Sequence, residues 1–186
     1  MPSSETTSTH PTRHIALIGF MGSGKTTVGQ ALAARLGGTF VDTDTLIEQA
    51  AGRPIPALFA EEGEVAFRDR EEQAVAAACC GAAQVIATGG GAVLRDANVA
   101  CLRQSCIVVW LTARAEVVVA RTEALAEQRP VLAAGADNLH THVLKLLGER
   151  GPRYQAAAHL IVDTSDRTPE ALAAEIARKV ERVTIP

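Results

Sequence analysis

The sequence has few aromatic residues. Four Phe, one Trp and one Tyr make up 3% of its 186 residues. Its apolar share of 47% is therefore mostly Ala, Val and Leu, and the core has to be built from many small side chains. No apolar run approaches the roughly 20 residues that span a bilayer. A basic excess is also missing: 18 Lys and Arg stand against 21 Asp and Glu, for a net charge of −3 and a pI near 6.0. That balance argues against a nucleic-acid surface or a membrane-binding stripe. The four cysteines, Cys79, Cys80, Cys101 and Cys106, follow no zinc-site spacing and are expected to be small buried apolar side chains. Residues 1–12 are rich in Ser and Thr and lack the apolar centre of a secretory signal. They are expected to form a disordered tail ahead of one domain over 13–186. The expected compartment is the reducing cytoplasm, and the expected state a monomer.

What is present is a regular alternation. Short apolar runs occur at His14-Ile15-Ala16-Leu17-Ile18, Phe40-Val41, Val85-Ile86-Ala87, Ile107-Val108-Val109-Trp110-Leu111 and Leu160-Ile161-Val162. Each has the length of a buried strand. Helical patterns separate them: residues 25–36 carry Val28, Leu32 and Leu36 on one side and end at Gly37-Gly38, and residues 64–80 form the longest. Alternating strands and helices predict a three-layer α/β domain with a parallel sheet. Ligands in such folds bind at the carboxyl ends of the strands, where Gly19, Asp42, Gly89 and Asp163 stand. Two stretches interrupt the alternation. Residues 43–72 are helical without a strand and are expected to form a substrate-binding insertion. Residues 121–137, with Arg129-Pro130 and Gly135, are expected to form a mobile lid.

Residues 19–26 read Gly-Phe-Met-Gly-Ser-Gly-Lys-Thr, the phosphate-loop pattern G-x-x-x-x-G-K-[ST], in the required place between a strand and a helix. Its glycines allow a tight turn with N–H groups aimed at phosphate oxygens, and the helix N-terminus adds its positive dipole end. Lys25 is expected to neutralise the outer phosphates and Thr26 to hold Mg²⁺. The loop identifies a nucleotide and leaves the chemistry open.

Asp42-Thr43-Asp44 follows the second strand. On an extended segment both carboxylates face one way, so one can serve Mg²⁺ through water and the other accept a proton from an acceptor hydroxyl. One of them capping a helix that starts near Thr45, with Asp44 doing both, is the alternative. Arg68, beside Phe67, is expected to turn inward and Arg70 to face solvent or an acid. Gly89-Gly90-Gly91 after a buried strand is expected to let a ligand approach backbone N–H groups. Arg129 is expected to swing onto the γ-phosphate, and Arg121 to stack on adenine. Arg150 is either a ligand-binding cation or a partner of a helix end.

Taken together these residues resemble the shikimate kinase family. The resemblance rests on Asp42-x-Asp44, Ile47-Glu48, Gly52, Ile55, Phe59, Gly63-Glu64, Phe67-Arg68 and Glu71, on Gly89-Gly90-Gly91, and on Arg150-Gly151-Pro152-Arg153-Tyr154. It implies a nucleoside-monophosphate-kinase-like fold with a five-stranded parallel sheet in the order 2-3-1-4-5. It implies transfer of a phosphoryl group from ATP to the 3-hydroxyl of shikimate. Asp44, Arg68, Gly89, Gly90, Gly91 and Arg150 would hold shikimate, the arginines on its carboxylate, with Asp44 the base. Gly22, Ser23, Gly24, Lys25, Thr26 and Thr27 would surround the phosphates, with Arg121 and the Asp163 to Pro169 loop, including Arg167, bordering adenine. Lys25 and Arg129 would stabilise the transferring group, and Thr26 would hold Mg²⁺ with Asp42 acting through water. A gluconate-type kinase, a non-catalytic nucleotide-binding module and a nucleic-acid-dependent ATPase are the competing readings.

Overall fold

The computed structural model describes residues 13–126 and 139–183. The expected tail, and most of the expected lid including Arg129, lie outside the described residues.

In chain order the elements are β1 (His14–Ile18), α1 (Lys25–Leu36), β2 (Thr39–Asp42), α2 (Thr43–Ala51), α3 (Ile55–Ala78), β3 (Gln84–Ala87), a 3₁₀ turn (Ala92–Leu94), α4 (Asp96–Ser105), β4 (Cys106–Thr112), α5 (Ala115–Ala126), α6 (Leu139–Ala157), β5 (Leu160–Asp163) and α7 (Pro169–Val180). The five strands form one sheet in the order β2-β3-β1-β4-β5. Every neighbouring pair is parallel. All strands therefore deliver their carboxyl ends to the same edge, and the loops after β1, β2, β3 and β5 meet there.

Central β1 is buried along its whole length, which is why it reads as an unbroken apolar run. Its side chains alternate between two cores. Ile15 and Leu17 pack with Val28 and Leu32 of α1 and Leu172 and Ile176 of α7. Ala16 and Ile18 pack with Val75 of α3, Leu102 of α4 and Tyr154 and Ala157 of α6. Each fully buried Leu or Ile contributes roughly 1.5–3 kcal/mol, so these two faces hold the layers together. The small strand residues Ala16 and Ala87, both buried, let the helices approach closely.

Two helix boundaries differ from the sequence expectation. The chain turns into α2 at Thr43 rather than near Thr45, and its cap is Asp42, whose Oδ1 accepts from the Asp44 N–H at 3.0 Å. Asp44 thus stands in the first helical turn and not on an extended segment. The long helix begins at Ile55, behind Pro54, and ends at Ala78. Gly63, at φ 78°, interrupts it and re-aims the following turns that carry Phe67, Arg68 and Glu71. The cysteines are reduced; Cys106 is buried, Cys79 and Cys101 are half-buried, and Cys80 is exposed rather than interior.

Candidate active site

The loop after β1 is built on glycines. Gly24 caps α1 in the left-handed region, at φ 89°, with no side-chain capping bond and no acidic residue in the first turn. The first N–H groups of α1 thus keep their positive end uncompensated and aimed outward. The half-buried Lys25 lies along the loop, its Nζ donating to the carbonyls of Gly19 and Phe20 at 2.9 Å each. Burial lowers its pKa to about 8, against the pull of Asp44 and then Asp42. Thr26 Oγ1 donates to Asp42 Oδ2 at 2.9 Å. A hydroxyl and a carboxylate oxygen side by side at a phosphate loop are the hard donors that Mg²⁺ takes, with phosphate and water completing its shell. The residues present therefore fit this ion.

Behind the loop stands an acidic pair under the glycine triplet. A Cβ on Gly89 would lie 2.7 Å from both Asp44 Oδ1 and Glu71 Oε1, and one on Gly91 would collide with the Arg68 guanidinium. At Gly89 and Gly91 these three side chains occupy the space a methyl would need. Burial raises Asp44 to about 6, helped by Asp42 and opposed by Lys25. Glu71 is 1% exposed and also raised by burial, with Arg68 opposing. Arg68 Nη1 donates to Glu71 Oε2 at 2.7 Å, and Nη2 reaches Glu64 at 3.2 Å. Its guanidinium also lies 5.3 Å from the Phe67 ring centre.

From the other wall, Arg150 Nη1 donates to the Gly90 carbonyl at 3.5 Å and the guanidinium lies 5.7 Å from the Phe20 ring centre. Tyr154 Oη donates to the same carbonyl at 2.5 Å. A proline within α6, Pro152, separates these two residues. Arg153 turns aside, donating to Asp96 at 2.8 Å and to the Val93 carbonyl at 3.4 Å, so it leaves Arg150 unhindered.

On the far side of α1, a cavity of about 220 Å³ is lined by Ser23, Gly24, Thr27, Val28, Arg121, Thr164, Arg167, Pro169 and Leu172. Arg121 donates to the Gly22 carbonyl at 3.2 Å and to Thr164 Oγ1 and O at 3.1 and 3.0 Å. It ties α5 to the phosphate loop and to the turn after β5. Ser23 Oγ is buried with no partner, a polar atom left for a ligand to satisfy.

A family model described as "SKI: Shikimate kinase" matches residues 21–181. The chain belongs to the shikimate kinase family. A shikimate kinase of Symbiobacterium thermophilum is 46% identical over 168 residues, covering 90% of this chain and 96% of the relative. One of Moorella thermoacetica is 46% identical over 163 residues, covering 88% and 91%. Among solved structures, the shikimate kinase of Acinetobacter baumannii in complex with shikimate superposes with a TM-score of 0.86 at 37% identity, covering 94% of this chain and 97% of that one. The fold is the P-loop kinase fold that such a family predicts, with the expected strand order.

The expected site residues that the structure describes fall in two adjoining groups. Lys25, Thr26, Asp42 and Asp44 form one cluster; Arg68, Gly89, Gly90, Gly91 and Arg150 form the adjoining one. Three of them make contacts within the chain. Gly89 N–H is not open to a ligand, because Thr43 Oγ1 accepts from it at 3.1 Å; among the described residues only the N–H groups of Gly90 and Gly91 within the triplet lack a partner. Arg121 is held by Gly22 and Thr164. Arg167 lines the nucleotide cavity, but its guanidinium pairs with Glu175. Arg70 pairs with Glu62 at 2.9 and 3.1 Å, as its solvent-side reading anticipated. Sequence reasoning assigned no role to Thr43, Glu71, Tyr154 or Thr164. Glu71 and Tyr154 stood in the family pattern and Thr164 in the loop set beside adenine, whereas nothing in the sequence marked Thr43.

Proposed function

We propose that this chain transfers the γ-phosphoryl group of ATP to the 3-hydroxyl of shikimate, releasing ADP and shikimate 3-phosphate. The carrying observation is the placement of Asp44: it sits between a phosphate loop with its lysine and a pocket with two arginines and two open backbone N–H groups. A carboxylate-bearing polyol fits that pocket. Arg68 and Arg150 suit its carboxylate, because a guanidinium offers paired donors where an ammonium offers one point of charge.

Asp44 accepts the proton of the 3-hydroxyl as that oxygen bonds to the γ-phosphorus. The bond from phosphorus to the β–γ bridging oxygen breaks, and ADP carries the electron pair away. A base raised to about 6 is ionised at neutral pH yet close enough in affinity to take a proton. Lys25 leaves the carbonyls of Gly19 and Phe20 to follow the phosphoryl charge. Thr26 and Asp42 are the residues that would hold Mg²⁺, which when bound offsets the charge on the phosphates. Gly22, Ser23, Gly24, Lys25, Thr26 and Thr27 surround the phosphates, and Arg121 and Arg167 border adenine. Residues 43–72 serve as the acceptor-binding region and residues 121–137, with Arg129, as the lid over the transferred group.

Nothing in the described helices is long and apolar enough to cross a membrane, and the cysteines are unbridged; both fit the cytoplasmic location we infer. A coupled ADP-release assay with shikimate, gluconate and a nucleoside monophosphate tests the acceptor. Turnover with shikimate alone is expected, and turnover with either of the others in its place would refute the reading.

A further inference from the structure

We propose that Thr43 and Tyr154 are positioning residues that clamp the glycine triplet from opposite walls and so keep Arg150 available for the acceptor; this rests on the acceptor site proposed above. Both side chains are buried, Thr43 at 0% and Tyr154 at 1% exposure. Each spends its hydroxyl on the triplet backbone: Gly89 N–H donates to Thr43 Oγ1 at 3.1 Å, and Tyr154 Oη donates to the Gly90 carbonyl at 2.5 Å. Tyr154 is itself fixed by stacking on Trp110, with ring centres 5.7 Å apart. The stretch that follows is held in the same way: Asn98 donates to the Ala92 carbonyl at 3.0 Å, and Arg153 to that of Val93 at 3.4 Å.

The clamp has a consequence for Arg150. A half-buried carbonyl needs a donor, and Gly90 O has two within reach, Tyr154 Oη at 2.5 Å and Arg150 Nη1 at 3.5 Å. While the tyrosine supplies the short bond, the guanidinium keeps only a long bond to the carbonyl, beside its contact with the Tyr154 hydroxyl, and can turn to an incoming carboxylate. Without that hydroxyl the carbonyl recruits Arg150 and withdraws it from the acceptor. Thr43 acts at the other end. Gly89 lies against the carboxylates of Asp44 and Glu71, so the bond from its N–H sets the distance between triplet and base. Burial raises Tyr154 to about 12, so its hydroxyl keeps the proton it donates throughout the neutral range.

The test is steady-state kinetics of Tyr154→Phe, Thr43→Val and Thr43→Ser beside wild type, with thermal melts to show that each variant folds. Tyr154→Phe keeps the ring on Trp110, so it carries the test should Thr43→Val fail to fold. For Tyr154→Phe and Thr43→Val the shikimate KM is expected to rise about tenfold, the effect of losing one buried hydrogen bond, with the ATP KM within about twofold of wild type. Thr43→Ser, which keeps the hydroxyl, is expected to restore the shikimate KM. An unmoved shikimate KM, an ATP KM that rises in parallel, or a Thr43→Ser variant that behaves like Thr43→Val overturns the inference while wild-type turnover of shikimate stands. A wild-type enzyme that releases no ADP with shikimate overturns the acceptor reading and this inference with it.

Discussion

The Arg68 guanidinium and the Glu71 carboxylate meet at 2.7 Å, one helical turn apart on α3 and directly beneath the glycine triplet. Arg68 is 13% exposed and Glu71 1%, so the pair is nearly dry. Neither charge would be stable there alone. Glu71→Ala is expected to destabilise the fold by about 3 kcal/mol, the scale of an unpaired buried charge, and to raise the shikimate KM by releasing Arg68. Glu71→Gln, which keeps an oxygen acceptor, should lose less of both. Urea unfolding and acceptor saturation curves measure the two effects.

Gly89→Ala separates site from scaffold. Gly89 has an ordinary backbone conformation, so alanine fits the chain, and its methyl would displace only the movable carboxylate ends of Asp44 and Glu71. The expected result is a stability within about 1 kcal/mol of wild type together with a fall in kcat/KM for shikimate of roughly a hundredfold. Thermal melts and initial rates read these independently.

The acidity of the site sets a pH window. Asp44 is raised to about 6 and must be ionised to accept a proton; Lys25 is lowered to about 8 and must be charged to meet the phosphates. Catalysis is therefore expected to fall as pH drops through about 6 and again as it rises through about 8. A profile of kcat/KM against pH checks this, and Asp44→Asn is expected to remove the acidic limb along with most of the rate.

Lys25→Met and Asp44→Asn are expected to fail differently. Lys25→Met loses charge on the transferred group and should lower kcat by at least about a hundredfold while the fold survives. Asp44→Asn should lower kcat by roughly 10²–10⁴ with little change in nucleotide affinity, because it touches the acceptor and its proton. Rates paired with binding of a fluorescent ATP analogue distinguish the two.

His159 makes stability depend on pH at the far end of the sheet. Its ring Nδ1 accepts from the Val108 N–H at 2.9 Å while its backbone N–H donates to the Val108 carbonyl at 2.8 Å. The ring must be neutral to accept. Burial, followed by the nearby Arg103 and Arg13, lowers its pKa below the ordinary value of 6.5. A lowered histidine contributes its full stabilisation above the unfolded value and loses it as pH falls through the folded one. Asp44 and Glu71, both raised by burial, act in the opposite direction over the same range, so the histidine is read as a difference: the gap in urea midpoint between wild type and His159→Gln should narrow from pH 8 to pH 5.

Much of this architecture is written locally. Buried parallel strands need continuous apolar runs, so His14–Ile18 and Ile107–Leu111 were visible as strands. Residues 19–26 have one backbone solution that suits phosphate, so the nucleotide site was visible as well. The acceptor site was legible in parts, Asp44 and the glycine triplet from their own surroundings, and as a whole only through its family pattern. Arg68, Asp44 and Arg150 are far apart in the chain, and nothing in their immediate surroundings says that they face one another.

The sequence by itself determined the strand-and-helix alternation, the phosphate loop and the residue types at the site, because each depends on patterns within a few residues. Tertiary structure alone decided which groups share a space. It set Asp42, not Asp44, as the cap of α2, took Gly89 N–H for Thr43, and drew Arg167 to Glu175. It also put two hydroxyls, from α2 and α6, on neighbouring glycines. The reason is physical: a buried polar group must find a partner, and which partner lies within 3 Å or so depends on how distant elements pack across the sheet.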